Sequence, residues 1–215
     1  MTRTARPSHS TQANPSPEAS NQQCLLDACV KAVGEKGLEA LQMNHVIELS
    51  GLSRRTAYKY FKNKSEVVNA AFLREGATLF EGAKREVSKC TSVEDIFVYS
   101  FLYVYQHLPK NPLLKELFHN HEGLLENLEV KKTILETLKG FDLEVLFKEH
   151  PALRKDIYAL SEYWIHAILS FLLLRSGDNK TLKEVEKYVR KRFIPGLCLS
   201  DYGVATTARH AIVAP

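Results

Sequence analysis

From Gln22 to Phe193 apolar residues recur at three- and four-residue spacing, and the prolines in that stretch fall only where the runs break. Such spacing lines one face of a helix, whereas a half-buried strand needs two-residue alternation, which no segment sustains. Asn-Gly and Asp-Gly hairpin turns are absent. The chain is therefore expected to be all-α. No fixed-period repeat appears, which argues against a helical solenoid.

Leu25, Ala28, Cys29, Ala32 and Val33 form the first apolar stripe, and Gly37 suits a left-handed stop after it. Further helices are expected over Met43–Ser50, Arg54–Phe61, Ser65–Lys89, Val93–Leu108, Pro112–His121, Leu124–Lys139, Leu143–His150, Ala152–Arg175 and Leu182–Phe193. Pro109, Pro112, Pro151 and Pro195 sit at or near the breaks, where a missing N–H costs least. Up to about residue 75 the helices are short and their loops basic; beyond it they are long and apolar. Four regions follow: a tail over 1–21, a unit over 22–75, a larger helical unit over 76–200, and a C-terminal tail over 201–215. The first tail is rich in Ser, Thr, Pro and Ala and has little to bury, so it is read as disordered. Its Arg3 and Arg6 allow added phosphate contacts, although an inert extension explains them as well.

The net charge of +4 does not by itself mark a nucleic-acid binder. Its placement is more telling. Arg54, Arg55, Lys59, Lys62 and Lys64 stand against one acid, Glu48, between Met43 and Lys64, so this segment alone carries as much positive charge as the whole chain nets. It also has the parts of a helix-turn-helix: a support helix, Gly51-Leu52-Ser53 as the tight turn, and a second helix with Ser53 as its N-cap. If Leu52, Ala57 and Phe61 pack inward, then Arg54, Arg55, Tyr58 and Lys59 face out. Arginine presents two parallel donors matched to guanine, and lysine or tyrosine reaches phosphate or base. The start of the following helix, at Asn63 and Lys64, offers N–H groups and positive charge to a phosphate. A merely solvated basic face would share the composition, and helix-turn-helix geometry also occurs in proteins that bind no nucleic acid.

The run Ser53-Arg54-Arg55-Thr56-Ala57-Tyr58-Lys59-Tyr60-Phe61-Lys62-Asn63-Lys64-Ser65-Glu66 resembles the N-terminal domain of the TetR (tetracycline-repressor-like) family. Leu25–Cys29 and Gly34–Leu41 resemble it too, so that the likeness covers about a quarter of the chain. The resemblance implies a sequence-specific DNA-binding transcriptional regulator, usually a repressor, acting as a homodimer on a palindromic operator. It implies base and phosphate contacts from Arg54, Arg55, Thr56, Lys59 and Tyr60, phosphate contacts from Tyr58 and Lys64, and a contribution near Gln42, Met43 and Asn44. The family commonly has Thr or Ser where Gln42 and Met43 stand, so the second helix lacks its usual hydroxyl cap. Ile47 and Ala57 also exchange size relative to the usual pair.

The larger unit has no motif, and its physics carries the reading. Ile96–Tyr105 is apolar nearly all round, as a centrally buried helix is. Phe97, Phe101, Tyr105, Phe118, Phe141 and Trp164 serve equally as plain core or as the lining of a pocket. The resemblance implies an effector site here, suited to a small apolar or aromatic compound. Tyr163–Leu174 is apolar on every face, so part of it is expected to meet a second subunit. Ile165, Ile168, Leu169 and Leu172, with Tyr188 and Val189 on the last helix, are the expected interface.

Neither a phosphate-binding glycine loop nor a catalytic signature is present, so no catalytic residue, metal or cofactor is expected. His119, His121 and Glu122 are the densest titratable cluster, but residues two apart on a helix point to different sides. The four cysteines lack metal-ligand spacing and are expected to be reduced thiols. With no signal-like segment and no apolar run long enough to span a bilayer, a cytoplasmic, nucleoid-associated location is expected. A TetR-like protein whose main partner is another protein remains a rival reading, and a helical enzyme or metal binder a more distant one.

Overall fold

The computed structural model describes residues 17–119, 144–173 and 180–205, and among these residues there are helices and no strands. Helix α1 spans Pro17–Lys36, α2 Met43–Ser50, α3 Arg54–Tyr60, α4 Lys64–Val87 and α5 Val93–His107. A 3-10 turn, Leu108–Lys110, leads to α6, Pro112–His119. Beyond lie α7, Glu144–Glu149, α8, Leu153–Leu173, and α9, Leu182–Arg192, then 3-10 turns over Ile194–Leu197 and Leu199–Tyr202. The helix expected over Leu124–Lys139, together with His121, Glu122 and Phe141, lies outside the described residues, as do the side chains of Phe118 and His119.

Helix α1 begins earlier than its apolar stripe. Pro17 opens it, its fixed φ and missing N–H suited to a first turn, and Glu18 adds an acid beside the N-terminal dipole. Residues 17–21, expected within the N-terminal tail, are therefore helical. The stripe itself is buried, with Leu25, Cys29 and Ala32 wholly enclosed against Val46, Val67 and Ala71 in the same core. Gly37 takes φ 76° and returns its N–H to the Val33 carbonyl at 2.8 Å, which stops the helix.

Helix α4 runs unbroken past residue 75 and serves both halves of the chain. Val67, Val68, Ala71 and Phe72 pack beneath the short N-terminal helices, while Gly82, Ala83 and Val87 pack toward α5. At Gly82 the two helices touch closely: a Cβ there would overlap the Tyr103 hydroxyl and ring. Gly82→Ala is expected to cost about 1–3 kcal/mol by overpacking, read as a lower urea midpoint. An unshifted midpoint would mean that Tyr103 swings aside freely.

A polar relay joins three helices at this junction. Arg74 on α4 donates to Gln23 and Asp27 on α1 at 3.0 and 2.7 Å, and to Glu75 Oε1 at 2.6 Å. The other Glu75 oxygen accepts from Asn111 Nδ2 at 2.5 Å, and Asn111 Oδ1 accepts the Leu114 N–H as the cap of α6. Glu116 on α6 in turn accepts the Leu38 N–H at 3.4 Å.

The C-terminal boundary also moves. Tyr202 donates its hydroxyl to Asp156 at 3.1 Å, and Val204 is buried. Residues 201–204 therefore pack against the body, because Tyr202 and Val204 find partners that linear composition does not reveal. No helix among the described residues is long and apolar enough to cross a membrane.

Candidate nucleic-acid interface

The turn between α2 and α3 is built by three residues. Gly51 supplies φ 68°, Leu52 packs against the core, and Ser53 Oγ accepts the Thr56 N–H at 3.1 Å. Ala57 and Phe61 are buried, at 0% and 5% exposure, and they seat a seven-residue helix on its support. Ile47 is buried as well, so both members of the exchanged pair lie in the core.

Arg54, Arg55, Tyr58 and Lys59 face outward together, as the inward packing of Ala57 requires. Their spacing stacks Arg54 over Tyr58 and Arg55 over Lys59, one turn apart. Thr56 is half-buried and its hydroxyl pairs with Ser53 Oγ at 2.9 Å, so its first duty is local. Tyr60 is half-buried against the core. Asn44 is exposed on α2. Gln42 caps that helix with extended backbone but no side-chain bond, as expected when the usual hydroxyl is missing.

Part of the motif is architecture. Asn63 Oδ1 accepts the Glu66 N–H at 2.9 Å, and Glu66 accepts the Lys62 N–H at 2.8 Å, a reciprocal cap that fixes where α4 starts. Lys64 leans back, its Nζ 3.4 Å from the Leu38 carbonyl, and is half-buried there. Sequence reasoning missed Glu66 and also Glu18, whose carboxylate stands 2.9 Å from Lys59 Nζ.

The aromatic residues of the larger unit gather as one cluster. Trp164 lies edge-on to Phe97 and Phe101 at 5.3 and 5.6 Å, and Phe101 also meets Phe171 and Phe193. Tyr105 joins through Phe171, and Tyr188 packs on Phe171 and Phe193. Phe171 and Phe193, which complete the cluster, were absent from the expected lining.

Of the residues expected at a subunit interface, Ile168, Leu169 and Val189 are buried within this one chain, and Val189 is fully enclosed. Leu172 is half-buried against the same core. The described part of the apolar stretch Tyr163–Leu174, on α8, packs against α5, α6 and the 3-10 turn after α9. Ile165 remains half-exposed and Tyr188 exposed, with Tyr158, Tyr163 and Leu182 exposed nearby in sequence.

No group of three or more metal-ligating side chains occurs among the described residues. All four cysteines are unpaired with one another, and burial pushes the Cys29 thiol up to about 11.

Comparison with known proteins agrees with this geometry. Residues 25–71 match the family described as "Bacterial regulatory proteins, tetR family". The chain is 23% identical over 117 residues to the fatty acid metabolism regulator protein of Bacillus subtilis, an alignment spanning 54% of this chain and 60% of that relative's length. Among solved structures, a fatty acid degradation regulator, FadR, from Bacillus halodurans superposes with TM-score 0.56 at 18% identity, covering 87% of this chain and 96% of that one. A TetR-family regulator from Mesorhizobium loti, itself described as putative, superposes with TM-score 0.61 at 16% identity, covering 88% and 100%. Through residues 25–71 the chain thus carries the N-terminal domain of the tetR family of bacterial regulatory proteins, on a helical body that shares its fold with these regulators.

Proposed function

We propose that the chain is a transcriptional regulator that sets α3 into the major groove of a palindromic operator as a homodimer. One observation supports this reading above the others. Arg54, Arg55, Tyr58 and Lys59 project from a short helix whose opposite side is locked by the buried Ala57 and Phe61. A rigid platform of this kind holds base-reading side chains in register, and a flexible basic loop would not. Arg54 and Arg55 make no hydrogen bond or ion pair within the described chain, so both guanidinium groups are free to meet base edges or phosphates. The dimer would join through the exposed parts of α8 and α9, around Ile165 and Tyr188.

The effector we propose is an apolar, hydrocarbon-rich compound. What supports it is that two of the similar proteins are named as regulators of fatty acid metabolism and degradation. Fragments of the source genome retained by the purified protein would identify the operator. On that operator Arg54→Ala is expected to cost about 1–3 kcal/mol while sparing random duplex. An equal loss on both would remove Arg54 from base reading. Failure of the parent to retain any fragment would overturn the proposed function.

A further inference from the structure

Lys59 lies on the outward side of α3, and its ammonium already has an anion. Glu18, forty-one residues earlier in the first turn of α1, places Oε1 2.9 Å from Nζ. Both side chains stand open to water, Lys59 at 66% and Glu18 at 73% exposure, so neither is held there by burial. The hydrogen bond and charge of Lys59 keep the Glu18 carboxyl below the ordinary carboxylate range, and Glu18 raises Lys59 in return. The contact exists because α1 starts at Pro17; a helix beginning at Gln22 would put no residue in that place.

To a lysine, a carboxylate oxygen and a phosphate oxygen are the same kind of partner: a charged acceptor at hydrogen-bond distance. Resting on the DNA-binding reading above, we propose that Glu18 sets the affinity of the α3 face by occupying Lys59 in the free protein and yielding it only to a phosphate. The exchange costs a contact: Lys59 must give up Glu18 to reach a phosphate. The counterion released is the DNA's own whether or not Glu18 is present, because an isolated carboxylate condenses none. Glu18 also suits the helix dipole, yet that role acts on α1 stability and has no route through Lys59.

The test is a double-mutant cycle on the full chain, using Glu18→Gln and Lys59→Gln. Binding to a mixed-sequence duplex is followed by fluorescence anisotropy over a range of potassium chloride concentrations. E18Q should bind about two- to fivefold tighter at low salt, the range expected of an exposed ion pair. That gain should shrink as salt rises, because an exposed ion pair is screened. It should vanish when E18Q is made in the K59Q background. Unchanged or weaker binding by E18Q overturns the inference, weaker binding meaning that Glu18 aims Lys59 at the duplex. A gain that survives in K59Q overturns it too, because Glu18 would then repel the backbone directly. If the parent itself bound neither this duplex nor any genomic fragment, the DNA-binding reading would fall, and that failure is visible without any Glu18 variant.

Discussion

Arg190→Met is expected to lower the unfolding free energy by about 2–4 kcal/mol, measured by urea denaturation at neutral pH. Arg190 on α9 donates to Glu94 at 2.9 Å and Asp95 at 2.7 Å on α5, and to Glu186 at 3.0 Å one turn back on its own helix. The Glu94 side chain is only 4% exposed, so methionine at 190 would take this guanidinium partner from a buried carboxylate. More than a quarter of Arg190 is open to water, which keeps the cost below that of orphaning a fully enclosed charge. Burial raises the carboxyl pKa of Asp95, but hydrogen bonds from Arg190 and Ser92 and the charge of Arg190 outweigh it and leave the carboxyl lowered from 3.8. A lowered folded pKa contributes stability above the unfolded value and loses it as pH falls through the folded one. The gap between parent and R190M should accordingly narrow as pH drops below about 3.8. Equal midpoints at neutral pH would show that Glu94 keeps adequate partners without Arg190.

Phe101→Ala is expected to cost about 3–5 kcal/mol and, for a chain of this size, to lower Tm by roughly 10 °C or more. Phe101 is fully buried, and its ring meets Trp164, Phe171 and Phe193 within 5.6 Å. Removing it strips the contacts of three neighbours at once and leaves a void that helices from separate parts of the chain cannot easily close. The same measurement separates core from pocket. A ring lining a preformed cavity has few partners on one side, so its loss would cost well under 2 kcal/mol. A small shift in Tm would return Phe101 to the ligand site and weaken the view that this cluster is closed core.

Local features were legible wherever the residues within one turn decide them. The stripe from Leu25 to Val33, the stop at Gly37, the turn at Gly51 and the cap at Ser53 all follow from short-range rules, and each stands where those rules put it. The start of α1 was not legible, because its first turn buries nothing and leaves no periodic signal. The partnership of Glu94 with Arg190 spans 96 residues, beyond the reach of any spacing argument. The burial of Ile168, Leu169 and Val189 within the chain was not legible for a related reason. A helix that is apolar all round records that it is buried, but not whether its own chain or a copy covers each side. In the candidate DNA-binding surface, helical phase sufficed to place Arg54, Arg55, Tyr58 and Lys59 on the outward side of α3. It did not reveal that Lys59 and Lys64 have intramolecular acceptors at Glu18 and Leu38.

Asn111 carries two obligations with one amide group. Its oxygen closes the start of α6, and its nitrogen holds the Glu75 carboxylate that anchors Arg74 and, through it, α1. A movement that carries the beginning of α6 away from α4 would therefore have to break the Asn111–Glu75 bond, unwind that first turn or draw the arginine with it. One amide thus ties the footing of a short helix to the charge that braces the one beginning at Pro17.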